Sequence, residues 1–398
     1  MLNRKETVRL YALVTLAFYL LAFSVIVSHA VLPEWITTFE ITPGRAGRVF
    51  FVYYLTYVIN TLLSGVLSDR FGKKPVLVLG QLFLAVGTFL VATAHTFPVI
   101  EAGMLVMGLG GGFNEAPLTG LISEKFIGRE GTALNLSQIS FGVGAASGPL
   151  LAGILLDGGF SWRIVFLIPA GVFAFLLTIF LLEKKFFTGE RKTFTRRGAK
   201  ALVRNQGGFL VISFLAMFLY VGSEIGSSSW MGTYVVRELG GSFYAGGLSI
   251  AGFWGMITVG RLLFAFLARY FSYSSLLRVS SVVSLAFLVL VQMSGQVNLA
   301  ILSFMGLGLG YSAIWPLLVA VVASKVESMK ATAISMVVAF GGLGALVFPW
   351  LLGILGELLG LRSIFIVVTV LVGGLAVVFW SNVFGEKREG TQLGLSRN

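Results

Sequence analysis

Four side chains able to carry charge lie inside stretches otherwise too apolar to hold them: His29, Glu115, Glu224 and Arg261. At the centre of a bilayer such a group costs about 2.5–3.5 kcal/mol on insertion scales and persists mainly where it has a task. Low dielectric favours the neutral form of a carboxyl. Glu115 and Glu224 could therefore each load a proton on one side of a membrane and release it on the other. His29 is a third candidate for proton coupling or substrate contact, and Arg261 could hold an anionic solute. Plainer readings stand beside these: a hydrogen bond or ion pair to a neighbouring helix, or, for His29, simple contact with interfacial water. Asn60, Asn114, Asn135, Gln138, Trp230, Trp254, Tyr311 and Trp315 lie around the charges, and amides with stacking rings suit a neutral polyhydroxylated solute. Trp230 could equally mark the membrane boundary, and Asn135 and Gln138 could bond between helices.

The elements that must place these groups follow from the apolar pattern. Of 398 residues, 57% are hydrophobic and 12% charged, and the mean hydropathy of +0.92 exceeds what a water-soluble domain carries. Apolar runs of about 20 residues, the length a helix needs to cross the hydrocarbon, recur near residues 8–31, 46–68, 75–94, 98–122, 132–156, 162–182, 208–228, 244–267, 275–293, 298–322, 331–356 and 362–384. The sequence thus predicts an all-α integral membrane protein with twelve transmembrane helices. A β-barrel would show alternating segments of about ten residues, and none is visible. The first span follows Arg4, Lys5 and Arg9 without a small-residue cleavage site and reads as a retained helix. At about 1.5 Å per residue, Glu115 falls in the inner half of the bilayer and Glu224 in the outer half, so each can serve one face of a central cavity. Enzyme chemistry finds no foothold. The chain has no cysteine and two histidines, and it shows no phosphate loop with Gly-Lys-Ser/Thr, no metal-ligand cluster and no nucleophile–base pair. No cofactor is expected, with a transmembrane proton gradient as the energy source.

Charge gives orientation. With a cytoplasmic N-terminus, most of the 29 Lys and Arg fall on inner segments, while Arg45, Arg48, Arg163, Arg237 and Arg362 fall on outer ones. This positive-inside bias places both termini in the cytoplasm of a multi-pass protein of the inner or plasma membrane. It also accounts for the net charge of +12 without any nucleic acid. Residues 183–207, "EKKFFTGERKTFTRRGAKALVRNQG", form a basic linker expected to meet anionic lipid headgroups. The linker separates an N-terminal six-helix half, 1–182, from a C-terminal half with a short tail, 208–398. A unit of twelve helices is expected to act as a monomer, with the bilayer and a small-molecule substrate as its partners.

The halves repeat each other at an offset of 200 residues. "TALNLSQISFGVGAASGPLLAGIL" from Thr132 lies over "TAISMVVAFGGLGALVFPWLLGIL" from Thr332 and pairs Gly142 with Gly342, Gly144 with Gly344, Pro149 with Pro349 and Gly153 with Gly353. Six helices per half make the repeats parallel, an arrangement that brackets a central site and gives alternating access by rocking. Between the second and third spans lies "GVLSDRFGKK" (65–74). Gly65 permits close helix approach and Gly72 suits a tight turn. Asp69 can accept from a helix start, while Arg70, Lys73 and Lys74 suit headgroups or acidic partners. The run resembles the G-x-x-x-D-R-x-G-[RK]-[RK] signature of the major facilitator superfamily. With the helix count, the charge bias and the repeat, the chain is identified as a member. The resemblance implies that Gly65, Asp69, Arg70, Gly72, Lys73 and Lys74 latch the halves on the cytoplasmic side when the transporter opens outward. In the second half "ARYFSYS" from Ala268 has Arg269 in place of the Asp and Ser272 in place of the Gly, so a second latch should be weak or absent.

Two further resemblances bear on the solute. "GAASGPLLAG" (144–153) resembles a glycine-proline motif associated with antiporters of the superfamily. "YVGSEIGSSSWMGTYV" (220–235) with "GFWGMITVGRLL" (252–263) resembles the fucose–galactose–glucose proton-symporter branch, which carries Glu224 over as the acidic position and Trp230 as the aromatic one. In the fourth span, "GFNEAPLTG" (112–120) departs from that branch, with Asn114 and Glu115 preceding Ala116-Pro117. The expected activity is secondary transport, proton-coupled, with uptake of a sugar or similar small solute. The alternatives are proton-driven efflux of an amphiphilic compound, anion transport using Arg261, and a non-transporting receptor or scaffold that would not need buried Glu115 and Glu224.

Overall fold

A computed structural model describes residues 4–126, 130–183, 197–326 and 330–384. Among the described residues the chain is helical and holds no β-strand. The first half supplies α1 (Arg4–Thr38), α2 (Pro43–Phe71), α3 (Lys73–Ala92), α4 (Phe97–Lys125), α5 (Glu130–Asp157) and α6 (Ile164–Leu182). The second supplies α7 (Arg197–Thr233), α8 (Phe243–Leu267), α9 (Tyr273–Met293), α10 (Val297–Tyr311), α11 (Ile314–Lys325), α12 (Lys330–Leu359) and α13 (Arg362–Trp380). A π-helical turn, Tyr234–Glu238, prolongs α7. Eleven stretches among the described residues are long and apolar enough to cross a membrane, with α10 and α11 counting as one. The twelfth crossing is α4, whose 29 residues include Asn114, Glu115 and a run of glycines that dilute its apolar character.

Local chemistry sets the ends. The Thr42 hydroxyl caps α2 by accepting from Arg45 N at 3.3 Å, with Pro43 in the first turn where its missing N–H is not needed. The helix stops at Gly72, whose φ of +90° favours glycine. Ser242 caps α8 and Ser272 caps α9, accepting from Ala245 N and Ser275 N, each at 3.2 Å. Ser272, where the second half has lost the glycine of the signature, thus performs the turn as a helix cap. One expectation needs correction. The tenth span, predicted as one helix, breaks at Ser312–Ala313, because Pro316 has no N–H to give the Ser312 carbonyl one turn back. Residues 184–196 of the expected linker lie outside the described residues; α7 begins at Arg197, and its stretch apolar enough to cross a membrane begins at Gly207.

Small residues bring the helices together in the same way in both halves. Gly108 of α4 lies against the Tyr53 carbonyl of α2, and its repeat partner Gly308 of α10 lies against the Phe253 carbonyl of α8. Gly144 of α5 meets the Tyr19 carbonyl of α1, and Gly344 of α12 meets that of Phe218 on α7. Such contacts replace a hydrophobic driving force that lipid does not supply. At Gly65 a Cβ would meet no described atom within 4 Å, so in this arrangement no described helix makes the close approach that its type suggested.

The halves meet along α2 with α12, α5 with α8 and α1 with α7. In mid-membrane Gly142 lies against Thr258 and Gly342 against Val58. Toward the face remote from the termini, Phe51 and Trp350 pack ring to ring at 4.9 Å. At the terminal face no described hydrogen bond, ion pair or ring contact joins the halves. Lys73 pairs with Glu124, and Lys74 donates to the carbonyls of Leu181 and Glu183 at 2.8 and 2.7 Å, all within the first half. Arg278 donates to the Phe379 carbonyl at 3.1 Å within the second. Among the described residues, the contacts that join the halves run from mid-membrane to the far face.

Candidate functional site

Each half contributes one carboxyl with a tyrosine. Glu224 on α7 is 6% exposed. Tyr220, one turn earlier on the same face, donates its hydroxyl to Glu224 Oε1 at 2.5 Å. Arg261 of α8 supplies a nearby positive charge, and its buried Nε has no partner. The Tyr311 ring stands edge-on to Tyr220 at 5.8 Å. Its buried hydroxyl lies beside Ser223 and Ser227 without completing a hydrogen bond. In the other half Glu115 of α4 is half-buried, and the Tyr57 side chain of α2 reaches its carboxylate. Tyr57 stacks on Tyr53 at 5.9 Å, and Tyr53 meets Tyr54 edge-on at 5.0 Å. Thus Glu115 is partly open in this arrangement, while Glu224 is covered.

His29 is fully buried and not wetted at the interface. Its Nδ1 lies 2.9 Å from Ser228 Oγ and its Nε2 3.5 Å from Ser229 Oγ, joining α1 to α7 across the halves. The direction of these bonds follows from the donor inventory. The Trp254 indole N–H can only donate and sits 2.8 Å from Ser228 Oγ. Ser229 gives its one proton to the Ile225 carbonyl at 2.7 Å, so it accepts from His29 Nε2–H. The proton of Ser228 then goes to Nδ1, which fixes the tautomer. A continuous chain runs Trp254, Ser228, His29, Ser229, Ile225. Phe50 packs edge-on against the imidazole at 4.9 Å.

The other expected cavity residues divide. Asn114 turns into the α3–α4 contact, accepting from Gln81 Nε2 at 2.6 Å and donating to the Gly110 carbonyl at 2.8 Å. Its amide is spent on helix packing, which corrects its place among the cavity residues. Asn60 is buried and donates to the Thr56 carbonyl of its own helix at 2.8 Å. Trp230 is also a correction: it is fully buried rather than interfacial, donates to the Pro349 carbonyl at 2.9 Å, and lies against Gly47 and Gly353. Gln138 and Trp315 are half-buried with no described partner. The Asn135 side chain lies outside the described residues. At the signature turn Asp69 is exposed without a described partner, and Arg70 lies over the Phe71 ring at 5.2 Å. Sequence reasoning missed Tyr57, Tyr220 and Ser228. The four-residue spacing of Tyr220 and Glu224 was the available signal for one of them; the other two act across helices.

Two repeated helical halves, each with a carboxyl inside its apolar spans, define a polytopic membrane protein. The chain belongs to the Major Facilitator Superfamily, whose sequence profile matches residues 12–328. It is 27% identical over 165 residues to the riboflavin transporter RibZ of Clostridioides difficile (strain 630), a match covering 41% of this chain and 36% of that protein. It is 25% identical over 155 residues to the quinolone resistance protein NorA of Staphylococcus aureus, covering 38% of this chain and 40% of that one. The chain thus matches well under half the length of these relatives. A bacterial homolog of the human lysosomal transporter Spinster, inward-facing and unoccupied, shares the fold with a TM-score of 0.81 at 14% identity, covering 95% of this chain and 97% of that one.

Proposed function

We propose that this chain is a proton-coupled secondary transporter of a small organic solute, with Glu115 and Glu224 as the proton-carrying groups. The observation that carries this reading is the unequal access of two carboxyl–tyrosine pairs, one in each half: Glu115 half-buried, Glu224 covered. Alternation of that access is what moves a proton and a solute together. A carboxyl in low dielectric also takes up and releases protons only as its surroundings open and close. With Asn114 and Trp230 occupied in packing, the candidate polar groups left for a solute among the described residues are few: Gln138, the hydroxyls of Tyr57 and Tyr311, and the guanidinium of Arg261. Rings outnumber amides. This composition favours a solute with a flat apolar face and a few hydrogen-bonding groups over a fully hydroxylated sugar. Sugar uptake remains the second reading, favoured by the position of Glu224 after Tyr220-Val221-Gly222.

The terminal face is assigned to the cytoplasm on the charge bias, which makes the described arrangement inward-open. The energy source is the proton gradient, no cofactor takes part, and the working unit is one chain in a cell membrane whose anionic headgroups meet the basic segments. The signature turn is assigned to latching the cytoplasmic side in the opposite state.

The test is proton movement in proteoliposomes with an internal pH-sensitive dye, screened with sugars, flavins, organic anions and cationic drugs. Solute added outside should acidify the lumen for a symporter and alkalinise it for an antiporter, and Glu224→Gln or Glu115→Gln should abolish either response. A solute-evoked response of wild-type size in both variants would refute the assignment.

A further inference from the structure

On the far face the halves hold each other by one device used twice. Asp157, the last residue of α5, accepts from the backbone N–H groups of Phe243 and Tyr244 in the first turn of α8, at 2.9 and 3.1 Å. Glu357, near the end of α12, accepts from Gly44 N in the first turn of α2 at 3.0 Å. Each carboxylate belongs to one half and each helix start to the other. The four positions are related by the repeat, since Asp157 precedes Glu357 by 200 residues and Gly44 precedes Tyr244 by the same interval. Even the caps correspond, with Thr42 on Arg45 N and Ser242 on Ala245 N.

One difference breaks the symmetry. Position 243 is Phe, with an N–H to give, whereas position 43 is Pro, with none. Asp157 therefore makes two bonds and Glu357 one. Beneath each carboxylate the glycine-proline stretches let the helices approach: Gly247 lies against the Pro149 carbonyl and Gly47 against that of Pro349. The stretch that resembles an antiporter motif is thus the seat of a contact between the halves, whichever direction transport takes.

A helix start leaves N–H groups without partners inside the helix and carries the positive end of its dipole, so a carboxylate there is favourable. Here the carboxylate comes from the other half, and the bond exists only while the far face is closed. We propose that Asp157 and Glu357 form a pair of acid clasps that set how strongly the far face closes, and so the ratio of the two access states, with Asp157 the stronger. The proposal rests on the two-half fold alone and stands or falls separately from proton coupling, because neither carboxylate lies with Glu115 or Glu224.

The chain has no cysteine, so Thr38→Cys and Arg237→Cys place two spin labels on exposed far-face positions of opposite halves. Double electron–electron resonance in lipid nanodiscs then reads the separation of the halves. Asp157→Asn with Glu357→Gln should raise the population of longer distances, changing the open-to-closed ratio of the far face roughly 3- to 30-fold, from the strength of a carboxylate at a helix start. The Asp157 change alone should move it more than the Glu357 change alone. Ala at both positions, which removes the acceptors outright, should move it further. Glu40→Gln, at an exposed far-face acid with no bond across the halves, should leave it unchanged. An unshifted distribution in the Asn/Gln and Ala double variants, or an equal shift from Glu40→Gln, overturns the proposal. Both carboxylates are exposed, so these variants leave the packed interior intact.

Discussion

Replacing Ser228 by Ala tests the buried chain around His29. Its hydroxyl accepts from Trp254 Nε1 at 2.8 Å and bonds His29 Nδ1 at 2.9 Å. Interhelical hydrogen bonds within membranes are worth about 0.6 kcal/mol on average and seldom above about 1.7. Two of them lost together predict a destabilisation of about 1–3 kcal/mol. The assay is SDS-driven unfolding in mixed micelles followed by far-UV ellipticity, for wild type, Ser228→Ala, Trp254→Phe and the double variant. If the Trp254–Ser228 bond is the physical source, the two changes are not additive. With the indole donor already gone, Ser228→Ala should cost about 0.6–1.7 kcal/mol less than it does in wild type. Equal costs in the two backgrounds would refute the Trp254–Ser228 bond as a source of stability.

Further outcomes follow from other contacts. A water-soluble carbodiimide applied to the protein in detergent, read by peptide mass spectrometry, should modify half-buried Glu115 well before covered Glu224; the reverse order would contradict the described access. Tyr220→Phe removes the 2.5 Å bond to Glu224 and should weaken solute-evoked proton flux in proteoliposomes while leaving more of it than Glu224→Gln does. Gly72→Ala places a Cβ at φ +90° and should cost about 1–3 kcal/mol in the same SDS titration. Gly144→Ala drives a methyl into the Tyr19 backbone. The overpacking penalty of about 1–3 kcal/mol should appear as lower thermal stability on size-exclusion chromatography.

The fold was legible because lipid simplifies the code. A crossing helix must be apolar for about 20 residues, and twelve such runs announced themselves, together with the 200-residue repeat. What hydropathy could not register was a local break such as Ser312–Ala313, since the helix on each side of Pro316 is equally apolar. The site was legible as a set of residue types and not as a set of partners. Glu115 and Glu224 stood out because charge is costly in hydrocarbon. Whether an amide such as Asn114 faces a solute or a neighbouring helix depends on Gln81, 33 residues away, and no local pattern reports it. His29 looked interfacial by its position along α1, yet the second half covers it with Ser228 and Ser229. Asp157 and Glu357 went unremarked because an acid at the end of a span reads as ordinary contact with water. Their shared offset was present in the sequence all along, but only the meeting of α5 with α8 and α2 with α12 gives it meaning.

The repeat also ages unevenly. On the far face each half presents the same surface that it receives, as in a two-fold dimer, where one patch must fit its own copy. A substitution at position 44, 149 or 157 changes one side of a contact whose twin lies 200 residues on, and the halves must go on fitting each other there. On the terminal face no described hydrogen bond, ion pair or ring contact joins the halves in this arrangement, and Arg269 and Ser272 stand where the first half has Asp69 and Gly72. The resemblance that survives at these far-face positions therefore records where the halves lean on each other.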